Sequence, residues 1–402
     1  MRAINLTYVQ LKQLVRWPIV RTCLRMLYAV LRLLVPTDRR QIGFVSTPDI
    51  ADNALALFEK IMQSPRAHEY RLVWLVADSL ASEHALHREF KETDPGNVSI
   101  MRKNSLIGLW SFVRCRYVFF THGAYGFAHS GYHQTIVNLW HGMPFKNFLS
   151  VGELQSDVPF MHYTIATSEY LADIVAENFH LPRERVLVTG LPRNEWLFVQ
   201  ERQYFAIKEG RAKLVVWLPT FRRSYFGEIR VDSIGDAPGA LSLEILARLD
   251  EMLEGAGVIL VIKPHPMDIQ NQQKWPSYRN IRIYADPEFR EKGLNLYKLL
   301  ACSDALVTDF SSCAIDYLLL NKPIGIFVPD IATYARGSIP EVLEKVAAIT
   351  HKLDSVEDLG AFVKNPPSER DTAPEREILC MTDHRDSSET ILRSVGLGNL
   401  IP

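Results

Sequence analysis

Apolar and polar positions follow one another in blocks that predict two successive series of strands and helices. Short apolar runs, many with β-branched or aromatic residues, predict strands at 41–46, 71–77, 98–101, 117–121, 135–139, 163–166 and 185–188. Helical spacing between them predicts helices at 53–63 and 171–179. The pattern breaks at Gly190-Leu191-Pro192-Arg193-Asn194, and a polar helix runs on to Gly210. A second series then predicts strands at 214–218, 258–263, 281–284, 305–308 and 324–327, with helices at 241–253, 295–301 and 312–320. Strands alternating with helices at this spacing predict an α/β protein with parallel sheets, its two halves meeting near residues 190–212. Residues 365–378, polar and proline-containing, read as a linker before a last helix at 387–395.

The segment before the first strand differs in charge. Residues 1–40 carry eight Arg or Lys and one acid, Asp38. From Pro18 to Val35 the pattern predicts a helix with Val20, Leu24, Leu27, Leu31 and Leu34 on one face, and Arg21, Arg25 and Arg32 on a neighbouring one. Arginines interrupt the apolar run too often for a span of about 20 apolar residues, and no small-residue cleavage site marks a signal peptide. The segment therefore reads as a basic amphipathic helix lying on an anionic membrane surface; the plainer alternative is a helix packed on its own domain. Over the whole chain 45 basic and 46 acidic residues nearly cancel, which argues against a nucleic-acid partner held by a global positive field. The five cysteines are scattered, with no C-x-x-C pair, so no disulfide framework or zinc site is expected. No G-x-G-x-x-G follows the first strand and no G-x-x-x-x-G-K-[ST] is present, which weakens nicotinamide and P-loop readings.

The candidate chemistry gathers at strand ends. His141, in Trp140-His141-Gly142-Met143-Pro144-Phe145-Lys146, is placed to take a proton near neutral pH, with Lys146 close behind. Lys263-Pro264-His265-Pro266 holds a second histidine rigidly between prolines. Thr220 and Arg222 follow the strand at 214–218, and arginine can grip phosphate through two parallel bonds. Thr308-Asp309-Phe310-Ser311-Ser312 turns a strand into a helix through hydroxyls and amides suited to phosphate. Arg193 and Asn194 could bind donor or acceptor, or simply stabilise the junction. Together these loops describe a site for a phosphate diester or pyrophosphate. No two aspartates are separated by one residue, so arginine, lysine, imidazole and a helix start are expected to meet the phosphate charge without a metal or other cofactor.

The order His-Gly-x-Pro-x-Lys, Thr-Ser-Glu-Tyr, Gly-x-Pro-Arg-Asn, Pro-Thr-Phe-Arg, Lys-Pro-His-Pro and Thr-Asp-Phe-Ser-Ser resembles the CDP-glycerol glycerophosphotransferase family, which builds teichoic acids and related capsule polymers. The resemblance runs from about Asp52 to Ser388. It implies a GT-B-like fold of two Rossmann-like domains with the active site in the cleft. The expected division is a membrane-associating helix at 1–40, an acceptor domain at 41–195 and a donor domain at 196–402. It also implies peripheral attachment at the cytoplasmic face of the membrane, and transfer of glycerol phosphate or ribitol phosphate from CDP-glycerol or CDP-ribitol to a lipid-linked saccharide or polymer, with release of CMP. By resemblance, His141 is the base and His265 a second essential histidine. Thr220, Arg222, Lys263, Thr308, Ser311 and Ser312 surround the donor phosphates, and Lys146, Arg193, Asn194, Asp386 and Ser387 are further substrate-binding positions. Met143, Phe145, Glu195 and Phe310 depart from the family's usual residues. A GT-B glycosyltransferase using a CMP-sugar and a catalytically inactive membrane scaffold are the alternatives; the oligomeric state is not predicted.

Overall fold

The computed structural model describes residues 18–79, 82–83, 96–128, 133–144, 160–219, 242–265, 275–309, 311–328, 339–367, 373–380 and 385–402. Lys146, Thr220, Arg222 and Phe310 lie outside the described residues. The chain falls into two compact units: 1–141 with 154–164 and 391–402, and 142–153 with 165–390.

The first sheet is built from strands β1 (Asp38–Val45), β2 (Arg71–Val76), β3 (Val98–Arg102), β4 (Cys115–Phe120), β5 (Thr135–Asn138), β6 (Tyr163–Ala166) and β7 (Val186–Val188), in the order β3-β2-β1-β4-β5-β6-β7. The division between the units passes within β6. Pairing is parallel at each junction from β3 to β6. The inner strands are apolar because helices cover both faces of such a sheet. Phe44 of β1 makes an edge-on contact with Phe58 of helix α2 (Asp52–Met62) and stacks near Trp74 and Phe119, all nearly solvent-free. Ser105 caps helix α3 (Leu106–Arg114) by accepting from the Gly108 amide at 3.0 Å.

Helix α1 (Pro18–Leu34) docks through Tyr28, which is fully buried against Phe112 of α3 and Phe127. Much of its remaining apolar surface faces outward: Ile19, Met26, Val30 and Leu33 are exposed, as are Leu106, Ile107 and Trp110 of α3. No helix among the described residues is long and apolar enough to cross a membrane.

The second sheet takes β8 (Lys213–Leu218), β9 (Val258–Ile262), β10 (Ile281–Ile283), β11 (Ala305–Thr308), β12 (Ile324–Phe327) and β13 (His351–Leu353) in the order β10-β9-β8-β11-β12-β13, again parallel throughout. Trp217, Leu260, Ile262, Val307 and Phe327 form its core with Leu246, Leu249, Leu359 and Phe362. In both sheets the order reverses beside the first strand, at β1/β4 and at β8/β11. Ligands of open α/β sheets bind at such switch points, beyond the carboxyl ends of the strands.

Several expectations need correction. The segment at 365–378 is not simply a linker: helix Ala373–Leu379 occupies its end, with buried Leu379 and Cys380 anchoring it. The polar helix expected before Gly210 is a 3-10 segment, Pro192–Phe198, and a short helix, Arg202–Ala206. Helices Leu106–Arg114, Pro340–Ile349 and Val356–Lys364 and strand β13 are further elements; the first is a short, almost wholly apolar run, and the apolar stripes of the other two helices are short and mixed with charge.

Candidate active site

Within the first unit, β5 ends at Asn138, and a short loop leads to His141. Asn138 is fully buried and its Oδ1 accepts from the Trp140 amide at 2.9 Å. Its carbonyl accepts from Thr164 Oγ1 at 3.0 Å. Asn53, at the start of α2, donates from Nδ2 to the carbonyls of Leu139 and Trp140, both at 3.0 Å. These bonds hold Trp140 at φ 51°, a left-handed conformation unusual for a bulky residue. Such strain persists where the surroundings over-determine it, often at functional sites. The loop presents His141 half-exposed, with Nδ1 3.4 Å from the Thr121 carbonyl. A carbonyl can only accept, so this contact favours the proton on Nδ1 and the basic lone pair on Nε2.

Within the second unit, two loops follow strands that flank β8. After β9, Lys263 is buried and its Nζ donates to Asp286 Oδ1 at 2.9 Å. Burial pushes the Lys263 pKa down, against the pull of Asp286. Burial also works against ionised Asp286, but Lys263 and Arg290 outweigh it and hold that carboxyl below its usual value. Lys263 thus has a fixed partner beside the loop. His265, two residues on, is half-exposed.

After β11, Thr308 is fully buried and its hydroxyl donates to the Leu218 carbonyl at 2.8 Å, tying β11 to β8. Ser311 and Ser312 stand half-exposed beyond it, and Ser311 Oγ accepts from the Cys313 amide at 3.4 Å. Thr308 therefore fixes the strand end from which the two serines project.

Arg193 and Asn194 are buried in the 3-10 segment Pro192–Phe198. Arg193 Nη2 pairs with Asp316 Oδ2 at 2.7 Å, and Tyr297 donates its hydroxyl to the same oxygen at 2.5 Å. Asn194 Nδ2 reaches Asp316 Oδ1 at 3.4 Å, and the Arg193 guanidinium lies 4.7 Å from the centre of the Tyr297 ring. This brace anchors the short helix Cys313–Tyr317 that follows Ser312. Ser387 is buried and Asp386 exposed; the next amide, Ser388 N, donates to Glu195 Oε1 at 2.6 Å. Glu195 thereby ties the segment at 192–198 to the last helix, Ser387–Ser394.

Gly142 also belongs to the second unit. At φ +138°, a Cβ added there would stand 2.1 Å from Ser312 Oγ and 3.2 Å from Arg193 Nη2. Gly142→Ala is expected to destabilise the protein by roughly 1–3 kcal/mol from backbone strain, with crowding added. Pairing it with Ser312→Gly should restore only part of the loss. An unchanged melting temperature for Gly142→Ala would contradict the close approach.

Sequence reasoning missed Asn53, Asp286, Tyr297 and Asp316, and marked Glu195 only as a departure from the family's usual residue. Asp316 did carry a signal: a lone acid in the run Ala314-Ile315-Asp316-Tyr317 needs a partner once that run is buried.

Parallel sheets with polar groups collected beyond their strand ends have the architecture of α/β ligand-binding proteins and enzymes. This chain belongs to the CDP-glycerol:poly(glycerophosphate) glycerophosphotransferase family, whose model matches residues 27–395. It is 22% identical over 410 residues to the teichoic acid poly(glycerol phosphate) polymerase of Bacillus spizizenii, covering 90% of this chain and 93% of that protein. It is 31% identical over 222 residues to the poly(ribitol-phosphate) polymerase of the same organism, a match that spans 50% of this chain and only 33% of that longer protein. The wall teichoic acid polymerase TagF has the same fold, with a TM-score of 0.75 at 19% identity over 94% of each chain. Solved forms of TagF include variants at two different histidines, one of them soaked with CDPG.

Proposed function

We propose that this protein transfers glycerol phosphate or ribitol phosphate from a CDP-alditol to a hydroxyl of a lipid-linked, teichoic acid-type acceptor, releasing CMP. We read the two sheets as two Rossmann-like domains of a GT-B-like enzyme. The observation that carries the proposal is the presentation of His141. Two buried asparagines set its loop, and a carbonyl at Nδ1 leaves the basic lone pair on Nε2. In this reading Nε2 takes the acceptor hydroxyl's proton as that oxygen attacks the alditol-bearing phosphorus. The bond from that phosphorus to the bridging oxygen breaks, and CMP leaves. His265, Ser311 and Ser312, with Thr220 and Arg222 from the sequence, bind the pyrophosphate. Thr308, Arg193 and Asn194 support that loop from behind, and Lys263 contributes a charge shared with Asp286. Asp386 and Lys146 remain candidate substrate contacts. Positioning and electrostatic stabilisation supply most of the catalysis in this class of reaction.

A donor screen tests the proposal. CMP release is expected from CDP-glycerol or CDP-ribitol with a teichoic acid-type lipid acceptor, and it should persist with EDTA present. Release from CMP-sialic acid alone would establish the glycosyltransferase alternative, and no release from any donor would support a scaffold.

The exposed apolar residues of α1 and α3, with the exposed Arg25 on α1, support peripheral attachment to an anionic membrane surface at the cytoplasmic face. The triple change Met26→Ser, Leu33→Ser, Leu106→Ser, which spares Tyr28, is expected to weaken sedimentation with phosphatidylglycerol vesicles. Unchanged sedimentation would refute the assignment.

A further inference from the structure

We infer that His122 is a positioning residue for His141, through a stacked histidine pair that the family motifs do not include. This inference rests on the reading of His141 as the base. His122 follows Thr121 at the carboxyl end of β4, beside the switch point of the first sheet. Its ring lies nearly parallel to that of His141, with centroids 4.0 Å apart and planes 8° apart. Thr121 is fully buried and its amide donates to the Val45 carbonyl at 3.1 Å, so it is a fixed point. It touches both rings: its carbonyl faces His141 Nδ1, and its hydroxyl is 2.9 Å from His122 Nδ1. Trp140 adds a tilted contact to His141, with ring centroids 4.1 Å apart.

The outer torsion of a histidine side chain has broad wells, so an imidazole at a strand end keeps rotational freedom unless a neighbour removes it. A general base must hold its lone pair within hydrogen-bond reach of the proton it takes. The flat face of His122 supplies that restraint, while Thr121 sets which nitrogen of His141 carries the proton. His122 itself is exposed and belongs to no buried core, so its removal should cost orientation and not folding.

The test compares His122→Ala, His122→Phe and His141→Ala in the full chain, using CMP release and donor KM with whichever CDP-alditol supports turnover. His122→Ala is expected to lower kcat about tenfold or more, as misplacement of a reacting group does. Donor KM and melting temperature should stay near wild type. His122→Phe keeps a flat ring without a titrating group and should recover most of the lost kcat. Wild-type kcat in His122→Ala, or His122→Phe as slow as His122→Ala, would overturn the positioning role while an inactive His141→Ala left the base assignment standing. Wild-type turnover in His141→Ala would instead overturn the base assignment, and the positioning role with it.

Discussion

Replacing His141 by alanine is expected to lower CMP release by roughly 10²–10⁴-fold, the usual contribution of a positioned general base. Donor binding should be nearly intact, because the groups assigned to the pyrophosphate stand on other loops. The size of the effect follows from how much structure serves this one ring. Asn53 and Asn138 are fully buried polar groups: Asn53 donates from Nδ2 to two loop carbonyls, and Asn138 Oδ1 accepts from the Trp140 amide. Burying an amide is costly unless its hydrogen bonds are made, and here those bonds hold Trp140 in a strained conformation beside the histidine. Single-turnover assays with titration calorimetry of the CDP-alditol would separate the two quantities. Retained turnover would sink the base assignment; lost donor binding would move His141 to the binding step.

Asp316→Ala is expected to destabilise the second unit by about 3–5 kcal/mol, the usual loss when one partner of a buried ion pair is removed. Asp316 and Arg193 are 1% and 6% exposed, so a buried guanidinium would lose the Asp316 carboxylate that faces it. Tyr297 would lose its acceptor and Asn194 a second one. Asp316→Asn retains the shape and one acceptor oxygen, and should fall between wild type and Asp316→Ala. Urea unfolding measures the difference; a loss below about 0.5 kcal/mol, typical of an unconstrained surface site, would mean the brace carries little. The same change should lower turnover more than its stability cost predicts, because the braced helix directly follows Ser311 and Ser312.

Much of this was legible from sequence. The strands at 71–76, 135–138, 213–218, 258–262, 305–308 and 324–327 stand within a residue or two of their predicted bounds, because an inner parallel strand must be apolar on both faces. His141, His265, Ser311 and Ser312 follow strand ends, as the motifs required. The later helices were harder to read. Pro340–Ile349 and Val356–Lys364 carry charged residues within short apolar stripes, and local pattern does not separate such segments from loops.

Local sequence therefore determined the α/β class, the strand positions and the residue types at the strand ends, since these depend on periodicity and turn chemistry within a few positions. Tertiary structure decided which polar side chains are tied to distant parts of the chain. The Thr308 hydroxyl donates to the Leu218 carbonyl, and Arg193 Nη2 and Asn194 Nδ2 reach the Asp316 carboxylate. His122, which no motif singled out, stacks on His141. The physical reason is that a hydrogen bond, ion pair or ring stack is set by distance in space, and these partners lie 19 to 123 positions apart along the chain, beyond the reach of any local pattern.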